Sequence, residues 1–307
     1  LLTLPNLDVP KEPDFNKARD VATQKEASGP AKKTKGLKEA SIEAKKSDSF
    51  LEKRAVADMK NPSSRQEALL YMGRTLARET KDDTRFNSPS YLSSAANTLD
   101  GSSPEHKYVY ACFAYVVCKE SMDVGTYHTA LTAIEDALRT SLSPTMKLDL
   151  LMLNAQMQVA MAKTYPSNDL YRKNAAESAL AILRLDKSDL TIDDIYSTLG
   201  GALMLLQLAK LSPNDQNIKN AYTEALQYLR TETSSNGVEI QARTIMNDIL
   251  SAAAPSGISR LPWNDAKDKQ YLIFMDQHNN PYLETPLKEA FKLSTKARVE
   301  GRRQPSV

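Results

Sequence analysis

Glycine, histidine and cysteine are scarce in this chain, at ten, three and two residues of 307. Tight phosphate-binding loops and β-turns rely on glycine for left-handed backbone, so its scarcity argues against both. No GxGxxG and no GxxxxGK[ST] occurs, which leaves no phosphate cradle. The histidines, His106, His128 and His278, are scattered, and no HExxH is present. Cys112 and Cys118 lack a second Cys/His pair at ligand spacing, so no metal site is expected. Six residues apart on a helix, they are about 9 Å apart along the axis, beyond disulfide reach, and read as reduced core thiols. There is no GxSxG elbow. Glu135-Asp136 and Asp193-Asp194 are adjacent pairs, and adjacent residues do not face each other on a helix, so they make poor acid/base dyads. Asp193 and Asp194 fit the first turn of a helix, where a negative charge complements its dipole. The reading is a protein that is not an enzyme, with no cofactor.

Long apolar runs are also missing. None reaches the eighteen or so residues of a membrane span, and no charged n-region precedes an apolar stretch as in a signal peptide. A formal net charge of +2 gives no whole-chain case for nucleic acid. Apolar residues make up 41%, below the usual ~45–50%. The deficit falls on residues 1–60, so the rest can still bury a core. The chain is expected to be soluble, and its reduced cysteines fit a cytoplasm or a virion interior.

Residues 1–60 read as a flexible, mildly basic N-terminal arm. Thirteen Lys or Arg stand against ten Asp or Glu there, and Phe15 and Phe50 are the only aromatics. Such a segment buries too little to offset its ordering entropy alone. It opens on the apolar, proline-punctuated "LLTLPNLDVP", in which Leu1, Leu2 and Leu4 suit an apolar groove on a neighbour. Its sharpest basic cluster, Lys32, Lys33, Lys35 and Lys38, reads either as a solvated linker or as an anion or acidic-partner contact.

What the chain has in quantity is helix punctuation. A short polar residue precedes proline at Asn61-Pro62, Ser88-Pro89, Ser103-Pro104, Ser143-Pro144, Ser212-Pro213 and Thr285-Pro286. The polar side chain accepts from free amides at a helix start, and proline at the first position sacrifices no bond. Between the marks, helical spacing predicts helices at 63–80, 89–99, 104–121, 126–141, 144–164, 168–185, 191–211, 214–231 and 237–253. Gly101 and Gly125 sit where helix ends favour a left-handed residue.

One helix occurs twice. "KNAAESALAILR" at Lys173–Arg184 and "KNAYTEALQYLR" at Lys219–Arg230 share seven of twelve positions at an offset of 46. The preceding helices also match: Ala155, Met157, Ala162, Lys163 and Pro166 correspond to Ala202, Met204, Ala209, Lys210 and Pro213. The unit is a helix–turn–helix hairpin of about 46 residues, at 143–187 and 188–233, with 104–141 as a degenerate earlier copy. A half-apolar hairpin cannot bury itself, so neighbours must stack. Small residues mark the close approach, with Ala175, Ala179, Ala221 and Ala225 on one side and Gly200, Gly201 and Ala202 on the other. Ala225 in particular is placed against Gly200–Ala202, while Ala181 and its counterpart Gln227 face outward.

Tyr196–Arg230, "YSTLGGALMLLQLAKLSPNDQNIKNAYTEALQYLR", resembles a tetratricopeptide-type hairpin. The "LG" and "A" of its first helix and Tyr222, Ala225 and Leu226 of its second carry the resemblance. It departs in its period, near 46 rather than about 34, and in lacking the tryptophan-type anchor and a closing proline. The resemblance implies a protein-binding superhelix.

Residues 256–307 read as a loop with the single Trp263, a possible small hairpin in "YLIFMDQHNNPYLE", and a basic last helix capped by Thr285 and ended by Gly301. Lys288, Lys292 and Lys296 recur at i, i+4 and i+8, and with Arg298, Arg302 and Arg303 they form a candidate anion or acidic-surface contact.

The expected fold is all-α: stacked antiparallel helical hairpins, α-solenoid-like or a multi-helix bundle, over 61–255. An extended arm precedes it and a short mixed segment follows. The expected function is a non-enzymatic structural, assembly or scaffold protein that binds other protein subunits as a homo- or hetero-oligomer. The alternatives are a helical nucleic-acid-packaging protein, such as a viral nucleocapsid or coat subunit, with nucleic acid on the basic arm and tail, and a secretion-system regulator or adaptor.

Overall fold

The computed structural model describes residues 50–78 and 84–302, with side chains for all of these except 84 and 296–302. Among the described residues there is no strand, and the fold is all-α. A helical stretch over 50–60 leads into α1 (Pro62–Arg78), a 3-10 turn (Thr84–Asn87), α2 (Pro89–Asn97), α3 (Pro104–Ser121), α4 (Val124–Leu138) and α5 (Pro144–Thr164). Then come α6 (Asp169–Leu183), α7 (Ile192–Ser197), α8 (Leu199–Leu211), α9 (Gln216–Thr231), α10 (Gly237–Ala252), α11 (Asp265–Gln277) and α12 (Pro281–Arg302).

Four of the six proline marks begin helices. Ser88, Ser103 and Ser143 accept from the amides of Tyr91, His106 and Met146 at 3.1–3.3 Å, and Asn61 from Ser63 at 3.0 Å. The other two marks do not. Ser212 ends α8, and α9 starts at Gln216, where the Asp215 carboxylate accepts from Asn217 and Ile218. Thr285-Pro286 lies inside α12, whose start is Asn280-Pro281 with Asn280 accepting from Tyr282 at 2.9 Å. Neither glycine proposed as a helix stop is left-handed. Met122 ends α3 at φ 52, Gly125 falls in the first turn of α4, and Gly257 alone among the described glycines has a positive φ. Gly301 does not stop α12, which runs to Arg302.

The two ends depart most from expectation. Residues 50–60, assigned to the arm, are helical, with Ala55 and Met59 buried one turn apart. Glu52 and Asp58 accept from Ser90 at 2.6 Å and from Tyr91 at 3.0 Å, tying the stretch to α2. Composition averaged over sixty residues concealed that local pattern. At the other end the expected hairpin is two helices joined at Asn279-Asn280. A short apolar run such as Tyr271–Met275 fits a strand or a helix equally. Asn264 capping Lys267 at 3.0 Å starts the helix, and Tyr271 and Phe274, three apart, bury while Leu272 and Ile273 stay exposed.

Helices α3, α5, α8 and α10 pack side by side in succession, with α1 against α5 and α2 against α3. On the other side α4 packs on α3 and α5, α6 on α5 and α8, and α9 on α6, α8 and α10. The last helix, α12, lies across α7, α8 and α10. Leu283, Leu287 and Ala290 of α12 are fully buried there, so its apolar stripe seats it.

The single helix expected over 191–211 is broken at Thr198. The hydroxyls of Ser197 and Thr198 bond back to the carbonyls of Asp193 (2.8 Å) and Ile195 (2.6 Å), which bends helices. Two glycines follow, and they face different neighbours. A Cβ on Gly201 would fall on the Ala179 carbonyl oxygen and lie 3.0 Å from the Leu183 amide of α6. A Cβ on Gly200 would meet only the Met152 methyl, at 3.2 Å. The small-residue contact therefore joins α8 to Ala179 of α6. The placement of Gly200–Ala202 against Ala225 is not what the nearest neighbours of these glycines show, although Ala225 is fully buried.

Gly201→Ala is expected to lower stability by about 1–3 kcal/mol or more, because backbone and not a side-chain tip must move. Gly200→Ala should change it by about 1 kcal/mol or less, since the Met152 thioether can swing aside and alanine favours the helix. Urea midpoints of the two variants, measured side by side, check the contrast.

Candidate functional site

The α1 end, the inner face of α3, the start of α5 and the short α7 converge on one buried charged cluster. Arg78, the last residue of α1, is 5% exposed, and Asp149 and Asp194 are 0% exposed. The guanidinium contacts Asp149 through Nε (3.0 Å) and Nη2 (2.8 Å), reaches Asp194 through Nη2 (2.7 Å), and donates from Nη1 to the Ser197 hydroxyl (3.0 Å). The second Asp149 oxygen accepts from the Tyr108 hydroxyl at 3.2 Å. Asp194 closes a capping box with Thr191 at the start of α7 and accepts from the Thr145 hydroxyl at 2.7 Å.

One buried cation between two carboxylates, with Arg74 a further 4.0 Å from Asp194, sets the protonation pattern. Burial pushes Asp149 up to about 6, against the pull of Arg78, with the Asp194 charge adding to the rise. Burial also works to raise Asp194, but bonds from Thr145, Arg78 and Thr191 outweigh it and hold its carboxyl below the ordinary range. Desolvation would lower Arg78, yet the two carboxylates raise it, so it stays charged. Burial raises the Tyr108 phenol well above its usual value, which keeps it a neutral donor. Gly73 is needed for this geometry, because a Cβ there would fall on the Tyr108 hydroxyl and lie 2.7 Å from the Asp149 carboxylate.

The start of α12 covers the cluster. Its Tyr282 ring lies 5.4 Å from the Arg78 guanidinium and 5.8 Å from that of Arg74, an arrangement worth roughly 0.5–2 kcal/mol. Asn280 donates to Asp193 at 2.9 Å. Beside this lid a cleft of about 430 Å³ opens between α3, α5, α8 and α12. Met122, Met152, Met157, Leu203 and Met204 give it apolar walls, and Lys119 and Lys163 line it as well. Gln156 braces one wall, donating to the Ala77 carbonyl (2.6 Å) and accepting from Tyr115 (2.9 Å).

Among the described residues, those proposed from sequence do not line the cluster or the cleft. Lys32, Lys33, Lys35, Lys38 and Arg303 are outside the described residues, and Lys296, Arg298 and Arg302 fall on α12 without described side chains. Lys288 and Lys292 are exposed, but each pairs within its own helix, Lys288 with Glu284 and Lys292 with Glu289 at 2.6 Å. Their charges are thus offset. Glu135 and Asp136 pair with Arg139 on the surface at 3.7 and 3.1 Å. Asp194 does serve the first turn of a helix, and it also belongs to the cluster. Asp149 carries a signal that sequence reading passed over: it is a carboxylate inside the apolar run "LDLLML", where a buried acid requires a cation. Nothing in the spacing identified Arg78 as that cation.

Among the described residues no group of three or more His, Cys, Asp or Glu could hold a metal ion, and no helix is long and apolar enough to cross a membrane. Cys112 and Cys118 are free and buried, and burial pushes both thiols up. No family model, no curated protein and no solved structure matches the chain.

Arg78→Met should cost about 3–5 kcal/mol, because it leaves buried Asp149 without a cation and Asp194 with only Arg74, at 4.0 Å. Replacing Arg78, Asp149 and Asp194 together by apolar residues should cost less than that, despite three changes; denaturant titration compares the two. The pH dependence has two parts. Asp149 binds its proton more tightly folded than unfolded, so stability should fall as pH rises from about 4 to about 6. Asp194, Asp215 and Glu239 are held below their ordinary values, so their contribution is present above about pH 4 and lost as pH falls further. Asp149→Asn should flatten the upper slope and leave the acid limb, read from urea midpoints at pH 3–7.

Proposed function

We propose that this chain is a non-enzymatic scaffold protein that holds a segment of another protein in the cleft between α3, α5, α8 and α12. The observation that carries the reading is the cleft itself. Its unbranched methionines, Met122 half-buried and Met152, Met157 and Met204 buried behind it, can repack around a guest, and lysines border it. On this reading α5–α6 and α8–α9 are two copies of one hairpin, the resemblance to tetratricopeptide-type units being one of hairpin stacking. The equal burial of the repeated helix supports it. Ala175, Ala179 and Leu183 are buried, as are Ala221, Ala225 and Leu229, while Ala181 and Gln227 are both exposed.

The test uses tagged full-length protein and its Leu203→Asp variant, which puts a charge on a half-buried cleft wall. Each is purified from a source lysate, and the particle mass and composition are measured. The scaffold reading expects a protein component of defined stoichiometry with the wild type that is lost with the variant, both being helical and monodisperse at the temperature of purification. A nucleic-acid component whose binding falls steeply with salt, or a protein component indifferent to Leu203→Asp, would contradict it.

A further inference from the structure

The cleft has a sidedness that narrows what fits it. Helix α12 seats its apolar stripe over α7, α8 and α10, so this side of the layer already accepts one helix. The cleft is the continuation of that surface over α3 and α5. Its apolar walls are Met122, Met152, Met157, Leu203 and Met204, and its far wall is the edge of α12 with Tyr282, Pro286 and Glu289. Pro286 has no amide hydrogen, so the Tyr282 carbonyl loses its helical donor on this wall.

Charge gives the second constraint. Lys119 and Lys163 both line the cleft and both are exposed. They stand in the last turns of α3 and α5, and no ion pair links either to a carboxylate among the described residues. Glu289, the one carboxylate lining the cleft, is engaged by Lys292 at 2.6 Å, and Arg78 is consumed by the buried cluster. The cleft therefore presents half-buried Met122 and Leu203 over buried Met152, Met157 and Met204, with two unengaged cations, complementary to a guest with an apolar stripe and acidic flanks. A nucleic acid fits poorly, because the surface is methionine-lined and two lysines are few for phosphate contacts.

We propose that the cleft docks an amphipathic helix of a partner protein alongside α12, with apolar side chains on Met122 and Leu203 above the buried methionines and acidic side chains on Lys119 and Lys163. This rests on the scaffold reading and names the partner's chemistry.

The test is a titration of full-length protein, labelled with ¹³C at its methionine methyls, with two synthetic 16-residue helices. Both carry one leucine stripe; one is flanked by glutamates and the other by lysines. The glutamate helix should shift the methyl signals of Met122, Met152, Met157 and Met204 and leave those of Met59 and Met246 in place. Lys119→Glu/Lys163→Glu alters only exposed side chains; it should weaken that helix by at least about tenfold and strengthen the lysine helix. Equal binding of the two helices, no shift at the four cleft methionines, or indifference to the lysine substitutions overturns the proposal. So do shifts that follow protein concentration alone, which would place a second copy in the cleft, and shifts produced by a single-stranded RNA. If the glutamate helix fails while a captured protein still depends on Leu203, the acidic-helix proposal falls and the scaffold reading stands.

Discussion

The arrangement depends on a guanidinium buried between two carboxylates. Arg78 ends α1, Asp149 lies one turn into α5, and Asp194 opens α7, so one side chain joins three segments that are far apart in sequence. Each alone would be costly to bury; together, with Tyr108, Thr145 and Ser197 adding hydrogen bonds, they are held in one geometry. A buried ion pair of this kind is weak evidence for net stability. Its consequence is positional, because it sets where α1 ends, where α5 starts and how α7 approaches them.

The cleft follows from that constraint. The cluster draws Tyr282 onto Arg78, and Asn280 onto Asp193, which anchors the start of α12. Further along, α12 is held by its own apolar stripe. Because the helix is pinned over α7, α8 and α10, the surface over α3 and α5 stays open beside it. The break at Thr198 contributes as well: it separates α7, committed to the cluster, from α8, which Gly201 brings against Ala179. One stretch of sequence thereby serves the polar cluster and the tight apolar contact in turn.

The helical framework was legible because its signals are local. Ser-Pro and Asn-Pro starts and the helical spacing of Tyr108, Cys112 and Tyr115 act within a few residues. Where local signals are ambiguous, the reading failed. Tyr271–Met275 fits a strand as well as a helix, and the end of the supposed arm hid Ala55 and Met59 in a polar average. The cluster was not legible, since 71 residues separate Arg78 from Asp149 and only packing brings them together. Lys288 and Lys292 of the basic stripe on α12 were visible, but their pairing with Glu284 and Glu289 depends on side-chain direction that spacing alone does not show.

The central claim is that the Arg78 cluster couples α1, α5, α7 and the start of α12. Native-state amide exchange on Arg78→Met, compared with the unsubstituted chain, tests it most directly. The account predicts that protection drops together in α1, the first turns of α5, α7 and the start of α12, while α6 and α9, which the cluster does not touch, keep theirs. Loss of protection confined to the last turn of α1, or spread evenly over all helices, would contradict it.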